Sequence, residues 1–265
     1  MSELSIKIKN KNGEVVSENS GKDAVSIFYC GTYSDGDVII LNASEEKRYL
    51  VIQLDDAITP AFVYLSGKEF IFPIPFDEKK MAYSPKSFSG DKHLLKARFA
   101  YDFEICAYKN LAKNEYDWNG NKSCFPHAAA NVETRGEAVF AARNAIDGNS
   151  ENHGHGYWPY NSWGINCRDD AEIIIDFGRT VEVDLMIIYI RADFPHDNWW
   201  EKVVFTFSDG TKILSNLEKT DSGQKISFEK KKTKWVRMNN LIKSNDPSPF
   251  PALRQWEIYG KEIEE

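Results

Sequence analysis

An all-β fold, built as two tandem β-sandwich domains, is what this sequence predicts, and three observations predict it. Short apolar runs alternate with turn signals at regular intervals along the chain. Aromatic residues make up 13% of the sequence, with 16 Phe, 12 Tyr and 7 Trp, and these types suit pleated, half-buried surfaces. A length of 265 residues exceeds one ordinary domain and suits two of about half that size.

The first domain is expected over residues 1–115. Its strands begin with "AVSIFYC" at 24–30, followed by the Ser-Asp-Gly-Asp turn signal before "VIIL". "RYLVIQL", "PAFVYL" and "EFIFPIPF" continue at short intervals, and "HLLKARFA" with "DFEICAY" completes the set. From Lys109 to about Glu137 the chain turns rich in Asn, Lys and Gly, as a linker or an ordered crossover would be. The second domain, 116–265, resumes the strand pattern with "AEIIIDFG", "VEVDLMIIYIR", the Ser-Asp-Gly hairpin of "EKVVFTFSDGTKIL", then "KISFE", "KWVRM" and "ALRQWEIYG". A faint echo of strand, acidic turn, strand and Phe-Pro links the halves and suits two related sandwiches.

Composition narrows the function. The net charge of -7 opposes binding to phosphate backbones and anionic headgroups. The basic run "EKKKTK" at 229–234 reads as a solvated hairpin turn, so no nucleic acid is expected. The aromatic loops carry mixed charge instead of a basic surface, so no membrane is expected either. Four cysteines lack CxxC spacing and read as free thiols. The opening "MSELSIKIKNKNGEVV" has no apolar leader core, and no apolar run reaches about 18 residues. As given, the chain is expected to be cytoplasmic; if a leader once preceded it, extracellular.

Residues 131–260 carry a more specific signal. "NAIDGN" at 144–149, Trp163, "EIIIDFG" at 172–178, "MIIYIR" at 186–191, the "VVFTFSDGT" hairpin and the terminal "WEIYG" occur in an order and spacing that resemble a discoidin-type domain, the F5/8 type C group. This group includes galactose-binding-like carbohydrate-binding modules of bacteria. The resemblance implies a jelly-roll sandwich whose loops at one end bind galactose-like or other sugars, or in some eukaryotic members anionic lipid or protein, and catalysis is not among the family's usual activities. Where the family passes quickly from its Asp-Gly to its Trp, this chain inserts "NSENHGHGYWPYNS", so a particular sugar does not carry over.

The resemblance also implies a structural calcium site. A tight Asp-Gly-Asn turn can present one carboxylate and several carbonyls to a hard cation. The matching positions are Asn144 through its carbonyl, Asp147, Asn149 and Glu257, with Gln255 an equal alternative to Glu257 on the same strand face. A plain Asx turn needing no metal is the competing reading.

Sugar contacts are expected from two loops. A pyranose packs its C–H patch on an aromatic face, and its hydroxyls need fixed donors and acceptors. The inserted loop offers His153, His155, Trp158 and Tyr160, while Trp163 is expected to fold inward. "HGH" also suits a transition metal, although the sequence nearby supplies no third ligand. The second loop follows a buried strand and carries Arg191, Asp193, His196, Asp197 and Trp199, with at most one of Trp199 and Trp200 in the core. An Arg191 ion pair with Asp193 or Asp197 is the alternative to ligand contact. Phe250 and Arg254, in the Pro-stiffened "DPSPFPALRQ", are placed to complete the same end.

No GxSxG, Walker A or HExxH motif occurs. The expectation is therefore a non-catalytic carbohydrate-binding protein. A protein-interaction or adhesion-like module is the alternative, and a hydrolase ranks third. Exposed sheet faces leave room for a homodimer.

Overall fold

Antiparallel pairing dominates the computed structural model, which describes residues 3–151, 156–192 and 197–263. The N-terminal strands are β1 (Glu3–Lys9), β2 (Val15–Lys22), β3 (Ala24–Cys30), β4 (Val38–Ala43), β5 (Arg48–Gln53), β6 (Ala61–Leu65), β7 (Glu69–Pro73) and β8 (Lys92–Phe99). Helix α1 (Asp102–Cys106) and the short strands β9 (Lys109–Asn110), β10 (Cys124–Phe125) and β11 (His127–Ala130) follow. One sheet runs β2-β1-β4-β7 and the other β10-β6-β5-β8-β3.

Alternation explains why the two sheets close on each other. In β1, Leu4, Ile6 and Ile8 are buried while the residues between them are not. They meet Ile39, Leu41, Phe70 and Phe72 from their own sheet and Leu50, Ile52, Val63 and Leu95 from the other. The expected turn before β4 also forms, with the Ser34 amide donating to the Asp37 carboxylate at 2.8 Å.

The Asn-rich segment after Lys109 is an ordered weave and not a linker. Its first residues, β9, pair with the last strand of the C-terminal half, yet β10 pairs with β6. Leu111 and Ala112 belong to the C-terminal core, whereas Tyr116 and Cys124 belong to the N-terminal one. The expected boundary near 115 thus falls inside a stretch shared by both halves. Its polar residues are spent internally: buried Asp117 accepts from the Ala128 amide at 2.8 Å and bonds His127 Nδ1 at 2.7 Å. Arg143 Nε donates to the Asp117 carbonyl at 2.8 Å. Low aliphatic content here reflects a buried hydrogen-bond network, which composition alone reads as a loop.

The C-terminal half contains β12 (Trp163–Gly164), β13 (Ile173–Ile190), β14 (Asp197–Asn198), β15 (Trp200–Phe207), β16 (Lys212–Asn216), β17 (Gln224–Lys243) and β18 (Phe250–Glu262). Their order is β12-β18-β13-β17-β15-β16, with β9, β11 and β14 attached at the sides. Two sequence readings need correction. "EIIIDFG" and "VEVDLMIIYIR" are one long strand, interrupted in register around Gly178, whose φ is +68°. Likewise "EKKKTK" lies within β17 and not in a hairpin turn. Alternation accommodates it: Thr233 is buried, Lys231 lies over the Phe207 ring at 5.4 Å, and Lys230 reaches Glu182 at 3.1 Å. Both halves of β13, from Ile173 to Phe177 and from Val181 to Ile190, deliver side chains into a single core with Trp163, Trp200, Phe205 and Trp256. Broken long strands of this kind let one sheet fold over its own core.

Candidate functional site

At one end of the C-terminal core the chain converges on Arg254. Between Tyr189 and Ile190 of β13 the register with β18 shifts, so that Tyr189 faces Gln255, Ile190 faces Leu253, and Arg254 is the extra residue. A bulge re-aims a side chain in this way. Arg254 is fully buried, yet its guanidinium is bonded throughout. Nε donates to the Glu151 carbonyl at 2.9 Å, one terminal nitrogen to the Asn161 carbonyl at 2.5 Å, and the other to the Pro159 carbonyl. Asp147 Oδ1 lies 3.9 Å away. Burial draws the Arg254 pKa down, and the Asp147 charge opposes that shift. One planar, permanently charged fork therefore pins the inserted loop to the sheet.

The calcium residues can be tested against this arrangement. Asp147 accepts the Asn149 amide at 2.9 Å and Asn161 Nδ2 at 2.8 Å, with the guanidinium beside it. Asn144 spends its side-chain amide on the Ala138 and Ser162 carbonyls. Glu257 accepts the Tyr259 hydroxyl at 3.1 Å, and burial raises its pKa. Buried Asn161 Oδ1, Ser162 Oγ and Gln255 Oε1 have no partner, but all three are neutral. Pairing of Trp163 with Leu253 draws Ser162 and Asn161 alongside Arg254. A divalent ion entering there would find one carboxylate and a fixed positive charge. A guanidinium 3.9 Å from Asp147 opposes a divalent cation at that carboxylate, and the Asp147 to Asn149 turn closes as an Asx turn.

Beside this hub lies a depression of about 260 Å³, lined by Thr134, Arg135, Phe140, Asn166, Arg191, Asp197 and Phe250 among others. Its floor holds an ion pair: an Arg191 guanidinium nitrogen lies 3.0 Å from Asp197 Oδ2, and both residues are buried. The ion pair that the sequence offered for Arg191 forms with Asp197. The Arg191 amide donates to the Ala252 carbonyl at 2.9 Å, locking the pair to β18. On the rim, Phe250 is 48% exposed, so an aromatic face is open to solvent. Arg135 lies 5.6 Å over the Phe140 ring. Three lining residues, Arg135, Asn166 and Cys167, take left-handed backbone with φ of 54°, 49° and 59°. The Asn166 amide donates to Thr134 Oγ1 at 2.9 Å, which holds that geometry. Non-glycine residues so held store about 1–3 kcal/mol each and cluster where ligands bind.

The other expected contacts distribute as follows. His153, His155, Asp193 and His196 lie outside the described residues. Trp158 and Tyr160 are half-buried, and the Trp158 amide donates to the Met81 carbonyl at 3.2 Å, so their loop leans on the N-terminal half. Trp163 folds inward as expected, its indole donating to the Val132 carbonyl at 2.9 Å. Trp200 is core, while Trp199 is half-buried with the Lys219 ammonium 5.0 Å over its ring. Sequence reading missed Arg135, Phe140 and Asn166, because no local pattern marks a left-handed residue that is not glycine. It also missed a cleft of about 430 Å³ between the halves, lined by Tyr83, Trp118, Glu133 and Arg143. The Arg143 guanidinium lies 4.3 Å over the Tyr83 ring there.

An all-β chain with a rigid, loop-built depression at one end of its C-terminal sandwich is the class these features define. No protein-family profile matches it, and no curated protein does. Solved structures are similar to it. Chitosan-binding module 1 of a chitosanase/glucanase from Paenibacillus sp. IK-5 is 21% identical over 58% of this chain and 100% of its own, with a TM-score of 0.39. The family 32 CBM of C. perfringens NanJ, in complex with galactose, is 15% identical over 58% and 99%, with a TM-score of 0.42. A Streptococcus pneumoniae fucose binding module is 19% identical over 58% and 98%, with a TM-score of 0.40.

Proposed function

We propose that this protein binds a carbohydrate, without turning it over, in the depression between Arg135, Asn166 and Phe250. One observation carries the reading: an exposed aromatic face stands over a buried ion pair, on backbone held left-handed at three non-glycine residues. A pyranose can lay its C–H face on Phe250 while its hydroxyls meet the side-chain amide of Asn166 and the remaining donors of Arg135, whose guanidinium Glu137 holds in place through two hydrogen bonds. The Arg191–Asp197 pair shapes the floor. Turnover is not proposed, because the one described carboxylate lining the depression, Asp197, is committed to Arg191. Hydrolysis of a glycosidic bond uses a pair of carboxyl groups about 5–9.5 Å apart.

A glycan array with the full chain tests this, run with wild type and Phe250→Ala. Phe250 is 48% exposed, so covering the rest of its face is worth about half of a full burial, ~0.7–1.5 kcal/mol, or roughly three- to tenfold in affinity. The expected result is a chemically coherent set of bound glycans, weakened by that factor in the variant. Capture of a protein partner with no glycan bound would favour an interaction module instead.

A further inference from the structure

A second group of ligand-type side chains lies in the N-terminal half, away from the depression. Asp55, Asp56 and His93 each present one ligand atom within 4.8 Å of the others, the one such group of three among the described residues. Strand pairing builds it. β5 pairs with β8 so that Gln53 faces Lys96 and Ile52 faces Ala97. Continuing that register past the end of β5 brings the Asp55-Asp56 turn opposite the start of β8, where His93 sits.

Two independent features set this group apart from an ordinary acidic turn. His93 is 1% exposed, and its Nε2 has no hydrogen-bond partner. A buried imidazole nitrogen left so is destabilising unless something else engages it. The hydroxyl of Tyr33, 96% buried, is also without a partner, and its ring lies 4.1 Å from the His93 ring. Asp55 is already oriented: its two oxygens accept the Ala57 amide at 2.8 Å and the Phe88 amide at 2.7 Å, which leaves lone pairs on both. Such outer bonds are how metal-binding carboxylates are held in place. Asp56 is exposed and free to rotate inward.

We propose that Asp55, Asp56 and His93 form a binding site for a first-row divalent metal ion of the zinc class, with the Tyr33 ring packed against His93. An imidazole with two carboxylates is a mixed nitrogen and oxygen set that such ions favour over magnesium or calcium. Zinc bonds of about 2.0–2.2 Å would need only a small inward turn of Asp56. The ion ties the β5–β6 turn to β8 and to the 87–88 loop.

The test is calorimetric titration of the full chain, stripped of metal, with zinc chloride, alongside Asp56→Asn and His93→Gln. Magnesium and calcium chloride serve as comparison ions. Asp56 is exposed, so Asp56→Asn keeps the fold, which a circular dichroism spectrum verifies. The proposal expects one equivalent of zinc bound by wild type, at least tenfold weaker binding in both variants, and a higher melting temperature with zinc in wild type alone. Binding that persists unchanged in Asp56→Asn would assign the zinc to other groups, such as the exposed thiols of Cys30, Cys106 and Cys167, and overturn the proposal. Absence of any zinc binding by wild type would overturn it equally.

Discussion

Replacing Arg254 by Met keeps the length and apolar stem of the side chain and removes only its charged fork. The consequence follows from what the fork holds. Carbonyls of Glu151, Pro159 and Asn161 lose their donors together, and the buried Asp147 carboxylate loses the cation 3.9 Å away. Each orphaned acceptor costs about 1–3 kcal/mol on its own, but they share one donor and do not add. Breaking a buried ion pair from one side costs about 3–5 kcal/mol. At about 2–4 °C per kcal/mol for a cooperative unit of 150–250 residues, the melting temperature should fall by roughly 6–20 °C. Arg254→Lys should recover less than half of that, because an ammonium cannot reach three carbonyls in one plane. Thermal unfolding followed by calorimetry gives the answer. A melting temperature within about 2 °C of wild type for Arg254→Met would show that the fork is not what pins the loop.

Other expectations follow from the same structure. If the guanidinium stands where a calcium ion would need to sit, neither millimolar calcium nor a chelator shifts the melting temperature of the C-terminal half, as scanning calorimetry would show. At His127, burial pulls the pKa down, but the Asp117 hydrogen bond and charge win and leave it raised. A raised folded-state pKa gives stability that is full below the unfolded value of about 6.5 and is lost as pH rises through the folded one. Unfolding free energy should therefore decline as pH rises above the unfolded value of about 6.5, and His127→Gln should flatten that slope in denaturant titrations. In Gly260→Ala the new methyl carbon would lie 2.0 Å from the Glu182 carbonyl oxygen on the neighbouring strand. Separating β18 from β13 there should cost at least about 1–3 kcal/mol, measured by the same titrations.

Strand content and the core were legible because alternation encodes them directly. Leu4, Ile6 and Ile8 announce β1, and the inward turn of Trp163 was what the resemblance to the discoidin-type pattern implied. The weave from Lys109 to Phe125 was not legible: its buried residues Asn114, Asp117 and Asn121 are polar and satisfied by one another, so hydropathy reads them as solvent-facing. Length misled at Gly178, where the ladder breaks between Asp176 and Val181 but resumes in the same strand, and at "EKKKTK", where Lys231, Lys232 and Thr233 pair with Val183, Glu182 and Val181. At the site, the sequence singled out Arg191, Asp197, Phe250 and Arg254 by type. It did not show that Arg254 serves as a structural hub, since the three carbonyls it holds come from 93 to 103 residues away. Nor could it reveal the left-handed Arg135 and Cys167, whose conformation is imposed by packing; Asn166 is of a type that favours that region, but its type alone does not fix it there.

The central claim is that a carbohydrate sits in the depression at the end of the C-terminal sandwich. Amide chemical-shift mapping of the isotope-labelled full chain, titrated with a glycan that the array identifies, tests it most directly. The account predicts that the largest saturable shifts fall on Arg135, Asn166, Cys167, Arg191 and the residues flanking Phe250, and that Phe250→Ala needs severalfold more glycan to reach the same shifts. Shifts centred instead on Tyr83, Trp118 and Arg143, in the cleft between the two halves, would contradict it.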